Sequence, residues 1–350
     1  MRDTMRAYRI TAWTRGPEVV EVAVPRPGPG QVLVEVAGCG LCHSDFTMMA
    51  MPAEVGAAIG WSMPFTLGHE TAGRVAALGA GVRGFTEGDA VALVSPASCG
   101  ECWYCTRAMD NACPNGFAGR GFGRDGGLAE YVLVDHVRGL VPLGSLDPRT
   151  AGPLTDAGAT SYHAVRRVLP RVFPGGTAVV IGAGGLGAFA VQFLRALTPA
   201  RVVAVDTNPQ RLEPARESGA HDVLTGVGES TTADIRALTD GRGADAVLDF
   251  VGVDATIGAG VAATRAGGAY GVIGAAGGRL DAAWYGGLPR DGEVFNFQGS
   301  NIADVRDVIG LAQAGLIRNE VETFAFEDVK AAYDRLHHGT LRGRAVVTFG

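Results

Sequence analysis

Ala178-Val179-Val180-Ile181-Gly182-Ala183-Gly184-Gly185-Leu186-Gly187 is the stretch on which the fold turns. Four apolar residues of strand type run directly into Gly-x-Gly-x-x-Gly, and a helix-like apolar run follows. Gly182 permits a tight turn, Gly184 lets a backbone approach closely, and Gly187 allows the helix to pack on the strand. The helix N-terminus beyond favours negative charge, as on a pyrophosphate. In a chain with 53 glycines the motif alone carries little weight. Its context carries more: Arg201-Val202-Val203-Ala204-Val205 reads as the next strand and ends in Asp206, 19 residues after Gly187. A carboxylate there suits the two hydroxyls of an adenosine ribose and repels a 2′-phosphate. NAD is therefore expected over NADP, cradled by Gly182, Gly184, Gly185, Leu186 and Gly187, with Asp206 on the ribose and Arg211 nearby.

Around this stretch, strand-like and helical segments alternate at 178–181, 186–197, 201–206, 210–218, 246–250, 255–263, 269–273 and 294–299. Such alternation predicts βαβ units and a parallel sheet. Upstream, from residue 7 to about 141, short strands at 31–36, 71–78, 90–93 and 129–134 are broken by Gly and Pro, which predicts a small, mostly β domain. Thr155-Asp156-Ala157 reads as a helix start, with Thr155 or Asp156 as the N-cap. The tail returns to short elements ending in a strand at 345–349. At 350 residues the chain is too long for one core. The expected class is α/β: a mostly β domain at 1–154, a doubly wound parallel-sheet domain at 155–299, and a return to the first domain at 300–350.

The formal charge of −6, with no basic run, argues against a nucleic-acid partner. Residues 172–194 carry no charge and could span a bilayer by length alone. Six glycines and the Pro174-Gly175-Gly176 turn divide that run into a strand and a helix, so no membrane span is expected. The first residues lack a signal-peptide pattern, and a cytoplasmic location is expected.

Cys99-x2-Cys102-x2-Cys105-x7-Cys113 is a strong signal for a tetrahedral zinc site. Four thiolates close such a site, so its role is structural. Gly38-Cys39-Gly40-Leu41-Cys42-His43-Ser44-Asp45 and Gly68-His69-Glu70 offer a thiolate, imidazoles, a hydroxyl and carboxylates. Taken singly, Cys42 fits core filler, His69 a turn, and Asp156 a helix cap. Spacing does not join them, since they lie on three separate elements.

Resemblance does. With these motifs in this order, the chain resembles the zinc-dependent medium-chain alcohol dehydrogenases over essentially its whole length. It looks most like bacterial NAD-dependent secondary-alcohol dehydrogenases through Pro153-Leu154-Thr155-Asp156-Ala157-Gly158 and Leu341-Arg342-Gly343-Arg344. The resemblance implies a GroES-like catalytic domain, a Rossmann domain, and a cleft between them for zinc and nicotinamide. It makes Cys42, His69 and Asp156 the catalytic zinc ligands, with Glu70 beside the metal and Asp45 orienting His69. Ser44 would take the alcohol proton, His43 would lie near the cofactor phosphate or ribose, and Arg344 would pair with the pyrophosphate. Two zinc ions per chain are implied, one catalytic and one structural, and a homodimer or homotetramer. Where many relatives end the proton relay in a histidine, this chain has Thr47.

The substrate expected is a small neutral alcohol or carbonyl compound, with Phe46, Met48, Trp61, Trp284 and Phe297 as candidates for an apolar pocket. Trp284-Tyr285 and the run at 269–273 are candidate subunit-interface material. A polyol, a hydroxyacyl thioester or a biosynthetic intermediate is the alternative, and a nucleotide-binding relative without catalysis a minor one.

Overall fold

The computed structural model describes residues 2–95 and 97–349. They fall into two compact units, the chain as far as Ala159 together with Gly299 onward, and Thr160–Gln298. The division lies inside the helix Ala157–Val168, a few residues beyond the change of pattern at 154/155.

In the first unit the strand Val32–Gly40 organises the larger sheet. It pairs antiparallel with Glu70–Leu78, with Tyr131–Val134 and, at its far end, with Arg344–Thr348 from the tail. Ala90–Leu93 and Leu140–Pro142 extend the sheet on one side and Val321–Ala325 on the other. Val32, Val34 and Val36 point into a core that also holds Phe65, Leu67, Leu93 and Val132. The ladder to Glu70–Leu78 shifts between Val36 and Gly38, and it resumes with Gly40 opposite Glu70. Because the pairing is antiparallel, the residues that follow Gly40 lie beside those that precede Glu70. Cys42 and His69 are thereby brought to one end of the sheet.

The third element arrives on glycine. A Cβ on Gly152 would overlap the carbonyl oxygen of Glu70, so the 3-10 turn Gly152–Thr155 lies directly on that strand end. Thr155 Oγ1 is occupied within the 3-10 turn that precedes the helix. Thr155 bonds back to the Gly152 carbonyl at 2.8 Å, and Asp156 links the turn to the helix at φ −126° and ψ −68°. The first helical N–H, on Ala157, donates to Glu70 Oε1 at 3.2 Å. A carboxylate is well placed at a helix N-terminus, and here it comes from another strand. The Asp156 side chain faces His69.

The second unit is a six-stranded sheet, parallel throughout, in the order Asp222–Thr225, Arg201–Asp206, Thr177–Ile181, Ala244–Asp249, Thr264–Val272, Glu293–Asn296. This is the doubly wound order, which reverses between Thr177–Ile181 and Ala244–Asp249. The edge strand Asp222–Thr225 and the helix Glu229–Leu238 were not legible in the sequence. The strand is only partly covered, so it shows no apolar alternation, and the helix buries little beyond Thr231 and Ile235. The run at 269–273 is flanked by strands on both sides, and Ala269 and Tyr270 are fully buried. It is sheet interior and offers no interface, whereas Trp284 and Tyr285 are exposed.

The turn at 182–187 follows the central strand. Gly182 adopts φ +87°, and the helix Gly185–Leu197 starts at once. A Cβ on Gly187 would overlap the Gly182 carbonyl oxygen, which is the close helix-strand contact the motif requires. Gly187→Ala should therefore lose about 1–3 kcal/mol of stability in urea unfolding of the metal-loaded protein. An unchanged midpoint would mean that the helix is not seated on the strand in this way.

Candidate active site and metal centre

Two clusters of metal-binding side chains stand out among the described residues. Their donor atoms lie within 4.8 Å of one another in each: Cys99, Cys102, Cys105 and Cys113 in one, and Cys42, His69, Glu70 and Asp156 in the other.

In the four-cysteine loop the Sγ atoms are 3.7 Å (Cys99–Cys113), 3.8 Å (Cys102–Cys113) and 4.0 Å (Cys99–Cys105) apart. A tetrahedron with zinc–sulfur bonds of about 2.3 Å has an edge of about 3.8 Å, so the thiols already stand at ligand spacing. Backbone N–H groups of Glu101 and Cys102 draw the Cys99 thiol down to about 6. Burial pushes Cys105 up to about 12, and a cation among the sulfurs is what would hold it as a thiolate. The loop is anchored by Arg138, which donates to Asp110 Oδ1 at 2.7 Å. Trp103 and Tyr104 do not pack inside. Both are exposed, and Arg107 lies over the Trp103 ring at 4.3 Å.

The second cluster is buried except for the half-covered Cys42 and the Asp156 carboxylate. His69 Nε2 is 3.4 Å from Asp156 Oδ2, and Nδ1 is 3.4 Å from Asp45 Oδ1. Neither imidazole nitrogen makes a hydrogen bond. For a nitrogen and an oxygen each about 2.1 Å from a zinc, the tetrahedral edge is about 3.4 Å, which matches the Nε2 side. On the other side Asp45 holds the ring. Burial alone would lower the His69 pKa, but Asp156 and Asp45 outweigh it and hold it well above the usual value.

Glu70 lies behind these groups. Its Oε1 takes an Arg344 guanidinium nitrogen at 2.6 Å and the Ala157 N–H, while Oε2 has no hydrogen-bond partner. Burial raises the Glu70 pKa against the lowering pull of Arg344. The same Arg344 nitrogen donates to the Leu41 carbonyl at 2.8 Å, and Arg344 Nε is unpaired. Two carboxylates, of Glu70 and Asp156, and the Cys42 thiol thus gather around one guanidinium. Such an excess of buried negative charge fits a divalent cation, and the donor set fits zinc.

Ser44 begins the helix Ser44–Met49, two residues beyond Cys42. His43 and Thr47 are exposed. Phe46 stands edge-on to both His43 at 6.0 Å and His337 at 5.3 Å. Two neighbours of the cluster were absent from the sequence reading. Phe122 tilts over His69 with ring centres 4.5 Å apart, and Tyr333 donates to Asp45 Oδ2 at 2.9 Å. Nothing local marks either, since Tyr333 is 288 residues from its partner. Of the suggested pocket residues, Met48 and Trp61 belong to the core, Trp61 bonding the Phe117 carbonyl, and Trp284 points into solvent.

In the second unit, Asp206 ends its strand with Oδ2 accepting the Ala183 N–H at 2.9 Å and Oδ1 accepting Asn208 N–H at 2.8 Å. Arg211 lies 3.6 Å from Oδ2. The carboxylate is therefore fixed beside the glycine turn. A Cβ on Gly184 would meet nothing closer than the Arg211 guanidinium at 3.7 Å, so no fold contact requires glycine there. The bare backbone is open to a ligand, as a pyrophosphate cradle is.

The alcohol dehydrogenase GroES-like domain family matches residues 28–145, and the zinc-binding dehydrogenase family matches residues 185–314. An NAD-dependent alcohol dehydrogenase of Sulfurisphaera tokodaii is 34% identical over 98% of this chain and 99% of its own. A D-arabinose 1-dehydrogenase (NADP(+)) of Saccharolobus solfataricus is 32% identical over 94% of this chain and 93% of its own. The crystal structure of the alcohol dehydrogenase of Aeropyrum pernix superposes with a TM-score of 0.90 at 30% identity, covering 98% of this chain and all of that one. Both halves of the sequence and its full-length relatives agree, and the chain belongs to the zinc-dependent medium-chain alcohol dehydrogenase family.

Proposed function

We propose that the protein catalyses reversible hydride transfer between NAD and a neutral, apolar secondary alcohol or its ketone, using Cys42, His69 and Asp156 as ligands of a catalytic zinc. The buried surplus of carboxylate and thiol around His69 carries this reading. A zinc held there supplies Lewis-acid polarisation of a hydroxyl or carbonyl oxygen. The chain's own groups do the rest. Ser44, half-buried two residues beyond Cys42, accepts the hydroxyl proton on Oγ and passes it to the exposed His43 imidazole, Thr47 having no titrating group to continue the path. The Glu70–Arg344 pair holds the strand end and the helix start together without adding net charge. On the other unit, the turn at 182–187 takes the pyrophosphate, and Asp206 takes the adenosine ribose.

The apolar preference rests on Phe122 over His69, with Trp61 behind it at 6.4 Å. No Lys or Arg occurs from Met48 to Met63, which disfavours an anionic thioester. The clustered, unpaired thiols accord with a reducing cytoplasm, and the exposed Trp284 and Tyr285 with a homo-oligomer.

NADH formation across primary, secondary, cyclic, aryl and polyol substrates tests the reading. Secondary and aryl alcohols should turn over fastest, and a polyol preference would replace the apolar pocket with one like that of a sugar dehydrogenase. Cys42→Ala should lower turnover about a thousandfold or more, while metal content falls from two per chain to the one held by the cysteine loop. Retained activity would remove Cys42 from the site. Asp206→Asn keeps an acceptor for the Ala183 N–H but removes the charge. Its preference for NAD over NADP, as a ratio of kcat/KM, should fall about 10–100-fold, and an unchanged ratio would place discrimination elsewhere.

A further inference from the structure

Asp45 is fully buried and divides its two oxygens between different tasks. Oδ2 accepts the Cys42 backbone N–H at 3.0 Å and the Tyr333 hydroxyl at 2.9 Å. Oδ1 has no hydrogen bond and faces His69 Nδ1 at 3.4 Å. For His69 Nε2 to offer a lone pair toward Asp156 and Cys42, the ring proton must sit on Nδ1, and a carboxylate facing Nδ1 fixes that tautomer. With two donors on Oδ2, rotation of the carboxylate is locked and Oδ1 stays on His69.

Tyr333 is built for this contact. It lies on the tail helix Val329–His337, packed between Tyr8, stacked at 5.8 Å, and the edge of Phe46 at 5.8 Å. Burial and the charge of Asp45 push its hydroxyl well above the usual range, so it remains a donor. One carboxylate thus ties together the backbone of Cys42, the ring of His69 and a helix from the far end of the chain.

We propose that Tyr333 is a positioning residue for the open metal site, acting through Asp45 to fix the tautomer and orientation of His69. The inference rests on the assignment of Cys42, His69 and Asp156 as metal ligands.

Tyr333→Phe removes the hydroxyl and keeps the ring. Metal affinity of each site can be read by competition with a chromophoric chelator, and coordination at the open site from the visible spectrum of the cobalt(II)-substituted protein. The open site should bind about tenfold more weakly with an altered cobalt spectrum, and the four-cysteine site should be unchanged. In an Asp45→Ala background, Tyr333→Phe should have no further effect, because the hydroxyl acts only through that carboxylate. Replacement of Tyr333 by 4-aminophenylalanine, which keeps a donor on the same ring, should recover affinity, and it supplies the reading if the Phe variant does not fold. Wild-type protein with two metals and a Tyr333→Phe variant with unaltered affinity and spectrum would overturn the inference alone. Loss of thermal stability without either change would do the same. Wild-type protein holding a single metal would overturn the metal-site assignment and this inference with it.

Discussion

The close approach of three backbones at Gly40, Glu70 and Gly152 is the constraint on which the metal centre depends. Gly40 sits opposite Glu70 in the ladder, and a Cβ on it would overlap the Glu70 carboxylate. Gly152 presses on the Glu70 carbonyl from the other side. A side chain at Gly40 would displace the Glu70 carboxylate, and one at Gly152 would drive the turn before Asp156 off the strand that follows His69. The contact at Gly152 is between main chains, which is stiffer than side-chain packing because backbone atoms cannot change rotamer to relieve an overlap.

Charge then decides what can occupy the space so created. Burying the Glu70–Arg344 pair stabilises little by itself, since desolvation offsets most of the attraction. Its effect is to fix geometry: Arg344 belongs to the last strand, Glu70 to a strand of the sheet centre, and Ala157 to the helix that crosses to the other unit. One carboxylate joins all three through Oε1. The tail is thus part of the site. Arg344, assigned by resemblance to the cofactor, is also the counter-ion that lets a glutamate stay beside the cluster.

Legibility in the sequence followed how local each signal was. The glycine turn with its following acid, the four-cysteine loop and the alternation of strand and helix all lie within short windows, and periodicity or spacing exposes them. Asp206 could be placed because strand, turn and helix fix its distance from Gly187. By contrast, Cys42, His69 and Asp156 are joined by antiparallel pairing and a glycine contact that no spacing encodes, and only resemblance assembled them. The aromatic residues misled for a related reason. Met48 and Trp61 read like a substrate wall, but apolar residues have the same chemistry in a core, and burial alone separates the two. As a pocket candidate Trp284 failed in the opposite sense, being bulky yet exposed. Tyr333 had no readable signal, because its hydroxyl finds Asp45 only after the tail helix has docked.

The charges of the site balance in separate pairs rather than as one pool. Glu70 is matched by Arg344, and together they are neutral. Asp45 is matched by hydrogen bonds, from Cys42 and Tyr333 on one oxygen, with the His69 ring facing the other. The Cys42 thiolate and Asp156 remain, two negative charges that a divalent ion would neutralise with His69 as the uncharged third donor. Exchanging any one partner unsettles its own pair first. A neutral residue at Arg344 would leave Glu70 as a third buried charge at the donor set and bias it toward the metal. A neutral residue at Asp45 would leave the donor charge intact and loosen only the orientation of His69. The carboxylates at 45, 70 and 156 are chemically alike, and the partner each one keeps suits the first to orienting His69, the second to anchoring the strand end, and the third to the ligand role proposed for it.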